Sequence, residues 1–418
     1  MAKIVFWLGP ALERWDFATA LDTGIGGSET AAIHLARELV KLGHEVDVYG
    51  DFAEGRAWSV LDKVIVMGGL RMTSRDVLCA IPYHEWISGQ PCDLFVSSRQ
   101  PGARRHCLPQ CKKAWLWVHD LHCGPDWDNQ IGIDYDRVLC LSDFAREQFL
   151  LYYPSVDQTK VVKTSNAVDL ALFQFHQGPE LAFTKPSSEP EHPENTMRVG
   201  VVSTRLVPGL QHVAYRDGFS PLRVTYSSSP DRGLDKLLDL WPKICKLVAL
   251  PEGFEGLRSE GLRPELHVYY GFDNWRKAAE LSGSEVDLFR IDHFIARLAE
   301  TPGVCYHGRA GQAEVARSYL RSQLWLFPTD FLETSCITAM EAQAAGCKIV
   351  ATRCGALPGT TSSACPYLVD GPTSAPDYDD RFLLAVWTAL SSDEVVVPAV
   401  PTWSGVAAQW DAWIREGA

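Results

Sequence analysis

The 418-residue chain is 46% apolar and 22% charged, which places it among globular proteins long enough for two or three domains. Its formal charge of −13 argues against nucleic acid and anionic lipid surfaces as partners. No run of 18 apolar residues occurs, so no transmembrane segment is expected, and twelve scattered cysteines with no CxxC pair read as reduced core thiols of a cytoplasmic protein.

The first apolar run, residues 3–9, is too short for a signal peptide and reads as a buried strand. A polar loop leads to Gly24-Ile-Gly26-Gly27-Ser28-Glu29. Ser28 is placed to cap a helix over 29–42, whose Ala32, Ile33, Ala36, Leu39 and Val40 share one face. Gly43 ends that helix and residues 45–49 form the next strand. Strand-like runs recur at 63–67, 94–97, 114–118, 137–142 and 160–164, with a helix expected over 143–152 after Ser142. Strands alternating with helices predict an α/β domain on a parallel sheet. Residues 177–196 are rich in Pro, Glu and Ser and read as a linker or exposed loop.

A second α/β series follows. Strands are expected at 223–227, 266–270, 304–307, 322–327 and 348–352. Helices are expected at 231–248, 291–299, 312–322, 333–345 and 379–390. Gly346 ends the helix over 333–345, as a glycine just past a helix does. In the tail, Trp403, Trp410 and Trp413 share one helical face, so the tail docks on something apolar.

Four stretches can carry chemistry. Glu333 and Glu341 lie eight residues apart, one at the expected helix mouth and one inside the helix. The free amides of such a mouth, at Thr334, Ser335 and Cys336, suit phosphate oxygens, while Glu333 and Glu341 suit sugar and ribose hydroxyls. A capping acid and a solvated helix residue are the plain alternative. Gly26 and Gly27 offer a phosphate cradle or a plain flexible loop. They lie too far from the first strand for a dinucleotide fingerprint, and Glu29 stands where its third glycine belongs. Trp117-Val-His119-Asp120-Leu-His122-Cys123 follows a strand, where a histidine can bind substrate or, as a rival, zinc. Asp126/Asp128 and Asp134/Asp136 have the look of metal-holding pairs but fall in a polar loop. Arg232, opening a helix after Tyr226-Ser-Ser-Ser-Pro-Asp, can neutralise a diphosphate or simply be solvated.

Together these residues resemble the retaining nucleotide-sugar glycosyltransferases of family 4, the group 1 transferases with the GT-B fold. The resemblance is carried by the E-x7-E pair with its flanking Phe-Pro-Thr and Glu-Ala-Gln-Ala-Ala-Gly, by Gly26-Gly27-Ser28-Glu29, by Asn166-Ala-Val-Asp169 and by Ser228-Ser-Pro-Asp-Arg-Gly-Leu234. It covers roughly residues 3–175 and 222–360. It implies two Rossmann-like doubly wound domains facing across a cleft: an acceptor-side domain over 1–176, a linker or insertion over 177–221, a nucleotide-sugar domain over 222–398, and a last helix in 399–418 crossing back to the first domain.

The same resemblance implies the roles. Glu333, with Thr334, Ser335 and Cys336, binds the donor sugar and phosphate, and Glu341 binds the ribose. Gly26 and Gly27 approach the diphosphate and Arg232 neutralises it. His119 lies beside the transferred sugar, and Arg309 is in the region that meets the base. The implied reaction moves a hexose from a UDP- or GDP-sugar to a hydroxyl of a glycan or other acceptor, with retention and without a metal or other cofactor. Front-face attack, with the leaving diphosphate taking the acceptor proton, makes electrostatic stabilisation of that group the main protein contribution. A GT-B epimerase or hydrolase and a non-catalytic sugar-nucleotide or glycan binder remain as alternatives. Two departures stand out: Ser227 occupies a position usually held by arginine, and Gly359 the place of a closing glutamate.

Overall fold

The computed structural model describes residues 1–9, 15, 23–50, 70–74, 91–173, 222–248, 264–361, 367–392 and 399–416. The expected strand at 63–67 and the linker or insertion over 177–221 lie outside the described residues.

Among the described residues, seven strands form the N-terminal sheet: β1 (Lys3–Gly9), β2 (Glu45–Gly50), β3 (Leu70–Ser74), β4 (Cys92–Ser98), β5 (Cys111–Val118), β6 (Arg137–Cys140) and β7 (Val161–Lys163). Their order is β3-β2-β1-β4-β5-β6-β7, and every pairing is parallel. The second sheet has, among the described residues, six strands: β8 (Arg223–Tyr226), β9 (Glu265–Val268), β10 (Val304–Tyr306), β11 (Leu324–Phe327), β12 (Lys348–Thr352) and β13 (Tyr367–Val369). Its order is β10-β9-β8-β11-β12-β13, again parallel throughout. The central strands are buried on both faces, which is why they read as unbroken apolar runs. In both sheets the strand order reverses at one point, between β1 and β4 and between β8 and β11. Ligands of doubly wound sheets bind in the crevice at that point, beyond the carboxyl ends of the strands.

The helices that matter for the site are α1 (Gly27–Lys41), α2 (Ala103–Cys107), α3 (Asp128–Asp134), α4 (Asp143–Tyr152), α5 (Leu234–Leu247), α6 (Asp273–Ser282), α7 (Glu285–Glu300), α8 (Gln312–Tyr319), α9 (Ile337–Ala344), α10 (Leu357–Thr360), α11 (Tyr378–Ser391) and α12 (Trp403–Arg415). Two expected helix starts are corrected. Ser28 is not the cap of α1: Gly26 is, in extended conformation, and the Ser28 hydroxyl bonds Glu29 instead. α9 begins at Ile337 rather than near Glu333, because residues 333–335 spend their polar groups on contacts to other loops.

Each sheet has its own core, and α12 belongs to the first. Trp403, Val406, Ala407, Trp410 and Ile414 are buried with residues of β1, β4, β5 and α1. The Trp410 ring sits 5.1 Å from Trp117 and 6.1 Å from Phe6, and its indole N–H donates to the Thr164 hydroxyl at 2.9 Å. The buried N–H thus has its partner, as an indole set in a core requires.

Candidate active site

The C-terminal wall is built from the loops after β8 and β11, the two strands at the switch point. Pro230–Arg232 form a short turn that ends at Gly233, whose φ is +102°. A Cβ there would stand 2.2 Å from the Pro328 carbonyl, so only glycine lets the two loops close on each other. That closure brings Arg232 to Glu333. The Arg232 Nη1 donates to Glu333 Oε1 at 2.9 Å, and its guanidinium lies 3.4 Å from the centre of the Phe331 ring. Burial pushes the Glu333 carboxyl up against the downward pull of Arg232. Burial opposes the charge of Arg232, but Glu333 and Asp231 outweigh it and raise its pKa. The Glu333 carbonyl accepts from Ala356 N at 2.8 Å, and a Cβ on Gly355 would come 2.6 Å from Glu333 N, so the 353–356 turn clamps the acid from behind.

Glu341, one turn into α9, is different. Among the described residues its carboxylate has no cation and no hydrogen-bond donor, and burial alone pushes it up to about 7. Its charge is felt by the buried Tyr319, whose phenol bonds the Ser227 hydroxyl at 2.8 Å. Ser227, where the resemblance leads one to expect an arginine, thus joins a neutral hydroxyl pair.

The N-terminal wall contributes His119, the residue after β5. Its Nε2 is buried without a hydrogen-bond partner among the described residues. Burial, with a smaller push from Arg99, lowers its pKa to about 3, so the imidazole is neutral. The ring lies 4.5 Å from Trp117. Its carbonyl accepts the Thr334 hydroxyl of the opposite wall at 2.8 Å. Asn166 crosses in the same way: its side-chain N–H₂ donates to the Ser335 carbonyl at 3.0 Å, and its Oδ1 is buried without a partner. Gly24, at φ +75°, lies against Ala310: a Cβ there would stand 2.7 Å from the Ala310 carbonyl. At Gly27 a Cβ would meet Ile337 Cδ1 at 3.5 Å, which brings the glycine loop to the first residue of α9.

The structure therefore gathers Arg232, Glu333, Thr334, Ser335 and His119 at one junction of the two walls. Gly27 lies against the start of α9 and Glu341 one turn further along it. Gly26, capping α1, accepts Thr30 N at 2.9 Å. Thr334 and Ser335 are occupied by cross-wall bonds, and the Cys336 thiol, pushed up by burial, contacts the Thr338 hydroxyl at 3.3 Å. Arg309 follows β10 at the cleft edge, packed beside Gly271 and next to the Ala310 that meets Gly24. Gly359 lies within the short helix α10. The cross-wall role of Asn166 was not assigned from sequence; only its place in the Asn166-Ala-Val-Asp169 motif hinted at it.

The rival metal arrangement is not assembled. Among the described residues no group of three His, Cys, Asp or Glu side chains could hold an ion. Asp128 caps the Ser155 turn, Asp134 pairs with Arg105, and Asp136 accepts from Ala114 N. His122 stacks on Tyr152 at 4.5 Å.

Two parallel doubly wound domains, with the loops of both switch points meeting in one cleft, define a GT-B architecture. Within it, residues 25–172 match the model of Glycosyltransferase Family 4. Solved structures share the whole fold. Sucrose-phosphate synthase from Thermosynechococcus elongatus is similar over 100% of this chain and 99% of its own, at 14% identity and a TM-score of 0.64. Anabaena HepE, solved in complex with UDP-glucose, is similar over 100% and 99%, at 12% identity and a TM-score of 0.56. A glycosyltransferase from Rickettsia africae covers 99% and 98%, at 14% identity and 0.57. No curated protein sequence matches the chain. The family match and the fold together support a glycosyltransferase. Among the described residues no helix is long and apolar enough to cross a membrane.

Proposed function

We propose that this protein transfers a hexosyl group from a UDP- or GDP-linked sugar to an acceptor hydroxyl, with retention, in the cytoplasm and without a metal or other cofactor. The observation that carries it is Glu341. Its half-buried carboxylate has no partner among the described residues, and two vicinal ribose hydroxyls can donate the hydrogen bonds that complete it. The diphosphate then lies along α9 toward its amino end, between Gly26-Gly27 and the first-turn amides, with Arg232 supplying the cation. The sugar falls between Glu333 and His119. The acceptor oxygen bonds to C1 as the C1–phosphate bond breaks on the same face, and the proton passes to the leaving diphosphate. His119, neutral above about pH 3, serves as a hydrogen-bond partner for a sugar hydroxyl and not as the proton carrier.

Thermal-shift titration with a panel of UDP- and GDP-linked sugars tests the donor, and stabilisation by one member is expected. Failure of every member to bind defeats the proposal. Anomeric configuration of the product, read by NMR, tests retention. One observation favours a second reading, a binder without turnover. The cation assigned to the diphosphate is already paired with Glu333, and Ser227 brings no second one. Tight donor binding with no transfer to a broad acceptor panel selects that reading.

A further inference from the structure

The stretch from Arg99 to Lys113 is locally basic, with Arg99, Arg104, Arg105, Lys112 and Lys113, and the structure sorts these side chains. Arg104 donates to the Pro109 carbonyl at 3.1 Å, Arg105 pairs with Asp134 at 2.6 Å, Lys112 with Asp93 at 2.7 Å, and Lys113 contacts the Ile414 carbonyl at 3.5 Å. Each has its partner in the first domain or in α12. Arg99 stands at the switch point. It is the first residue after β4, one of the two strands flanking the switch point of the N-terminal sheet.

Its backbone is in the left-handed region, φ +65°, which a side chain with a Cβ adopts only when its surroundings impose it. Here they do. Arg99 N donates to the Trp117 carbonyl at 2.9 Å, the Ser97 hydroxyl to the Gln100 carbonyl at 2.6 Å, and the Tyr135 hydroxyl to the Pro101 carbonyl at 2.9 Å. The Trp7 indole holds the Gln100 side chain at 3.3 Å, over Gly9 at the end of β1. This bracing aims the Arg99 side chain at the residues after β5. Its Nε donates to Asp120 at 2.9 Å, and its charge is felt by His119. The guanidinium is about half exposed, and among the described residues neither Nη1 nor Nη2 has a hydrogen-bond partner. One carboxylate thus fixes the fork and leaves its two outer nitrogens for a second oxyanion.

We propose that Arg99 anchors an oxyanion on the acceptor, a phosphate ester or a carboxylate, and so presents the acceptor hydroxyl beside His119. This role presupposes the transferase function proposed above. The donor keeps its own cation, Arg232, on the opposite wall, so the two anionic substrates are held apart.

The test is calorimetric titration of the UDP-saturated protein with glucose 6-phosphate, glucuronate and glucose in parallel. One of the two charged sugars is expected to bind about ten-fold tighter than glucose, and which one does so distinguishes phosphate from carboxylate. Arg99→Gly keeps the left-handed backbone without strain, so it should melt no lower than the wild type, bind UDP unchanged, and lose the preference for charge. Asp120→Asn, which removes the competing carboxylate, should strengthen the charged sugar. Equal or absent binding of the three sugars, or a preference that survives in Arg99→Gly, overturns the role of Arg99. Failure of both UDP and GDP to bind the wild type overturns the transferase reading itself, a separate outcome.

Discussion

The two walls of the cleft handle charge in opposite ways. On the C-terminal wall, Arg232 and Glu333 are already joined at 2.9 Å, and the acid is braced from behind by the 353–356 turn. On the N-terminal wall, His119 keeps a buried Nε2 without a partner, and the outer nitrogens of Arg99 find none among the described residues. A wall whose charges satisfy each other holds its shape without ligand. A wall with unfilled hydrogen-bonding groups is completed by one. Two groups break the division on the C-terminal wall: among the described residues Glu341 has no partner, and the buried Arg232 Nε has no hydrogen-bond partner.

The largest effect is expected from breaking the satisfied wall. Arg232→Ala leaves Glu333 buried without its cation and should cost about 2 kcal/mol of stability, somewhat less than a fully buried pair because Arg232 is partly exposed. Denaturant unfolding checks it, and adding Glu333→Gln should restore most of the loss. A wild-type midpoint for Arg232→Ala means the pair does not hold this wall together.

Glu341→Gln should do the reverse. Nucleotide affinity is expected to fall about ten-fold by calorimetry, while the melting temperature stays level or rises, because an unpaired desolvated charge has gone. The pH dependence has a definite sign. The folded-state pKa of about 7 lies above the ordinary carboxylate value, so the ligand-free fold keeps a proton that the unfolded chain releases. Stability from this group is therefore present at low pH and falls as pH rises toward 7. Ribose hydroxyls favour the ionised acid, so nucleotide affinity should fall as pH drops below 7, with proton release on binding. An affinity independent of pH in the wild type, or unchanged in the variant, removes Glu341 from the site.

Smaller effects test the junction. Thr334→Val deletes the bond to the His119 carbonyl and should cost about 1 kcal/mol of the closed arrangement, seen as a few-fold weaker donor binding. The smallest expectation is an absence. With its pKa near 3, His119 should give no inflection in the pH profile of kcat between about pH 5 and 9, and one assigned to it by His119→Gln would contradict the neutral role.

Much of the fold was legible in the residues. β1, β5 and β11 announce themselves because strands buried on both faces carry unbroken apolar runs, and β2, β4, β6, β8 and β12 keep shorter apolar stretches between polar ends. β3 and β13 were not read. Leu70-Arg-Met-Thr-Ser mixes polarity at one edge of the first sheet, and Tyr367–Val369 is three residues long. The site was partly legible. Its acids, glycines and His119 stood at loops after strands, but their pairings did not show. Arg232 and Glu333 are 101 residues apart in the chain, and Thr334 and His119 are 215 apart. Such contacts are decided by how two sheets and their loops pack, which no local periodicity encodes.

By itself the sequence determined the alternation of strands and helices, the apolar face that seats α12, and the residue types available in the cleft. Those follow from local propensity and from which side chains leave water. The tertiary structure decided the rest. It started α9 at Ile337 because residues 333–335 were claimed by other loops, and it paired one glutamate while leaving the other bare. It also turned Arg99 into the left-handed region at the switch point and so toward the cleft. The strain of one residue and the desolvation of one carboxylate are properties of the assembled surroundings, set by groups far away in the chain.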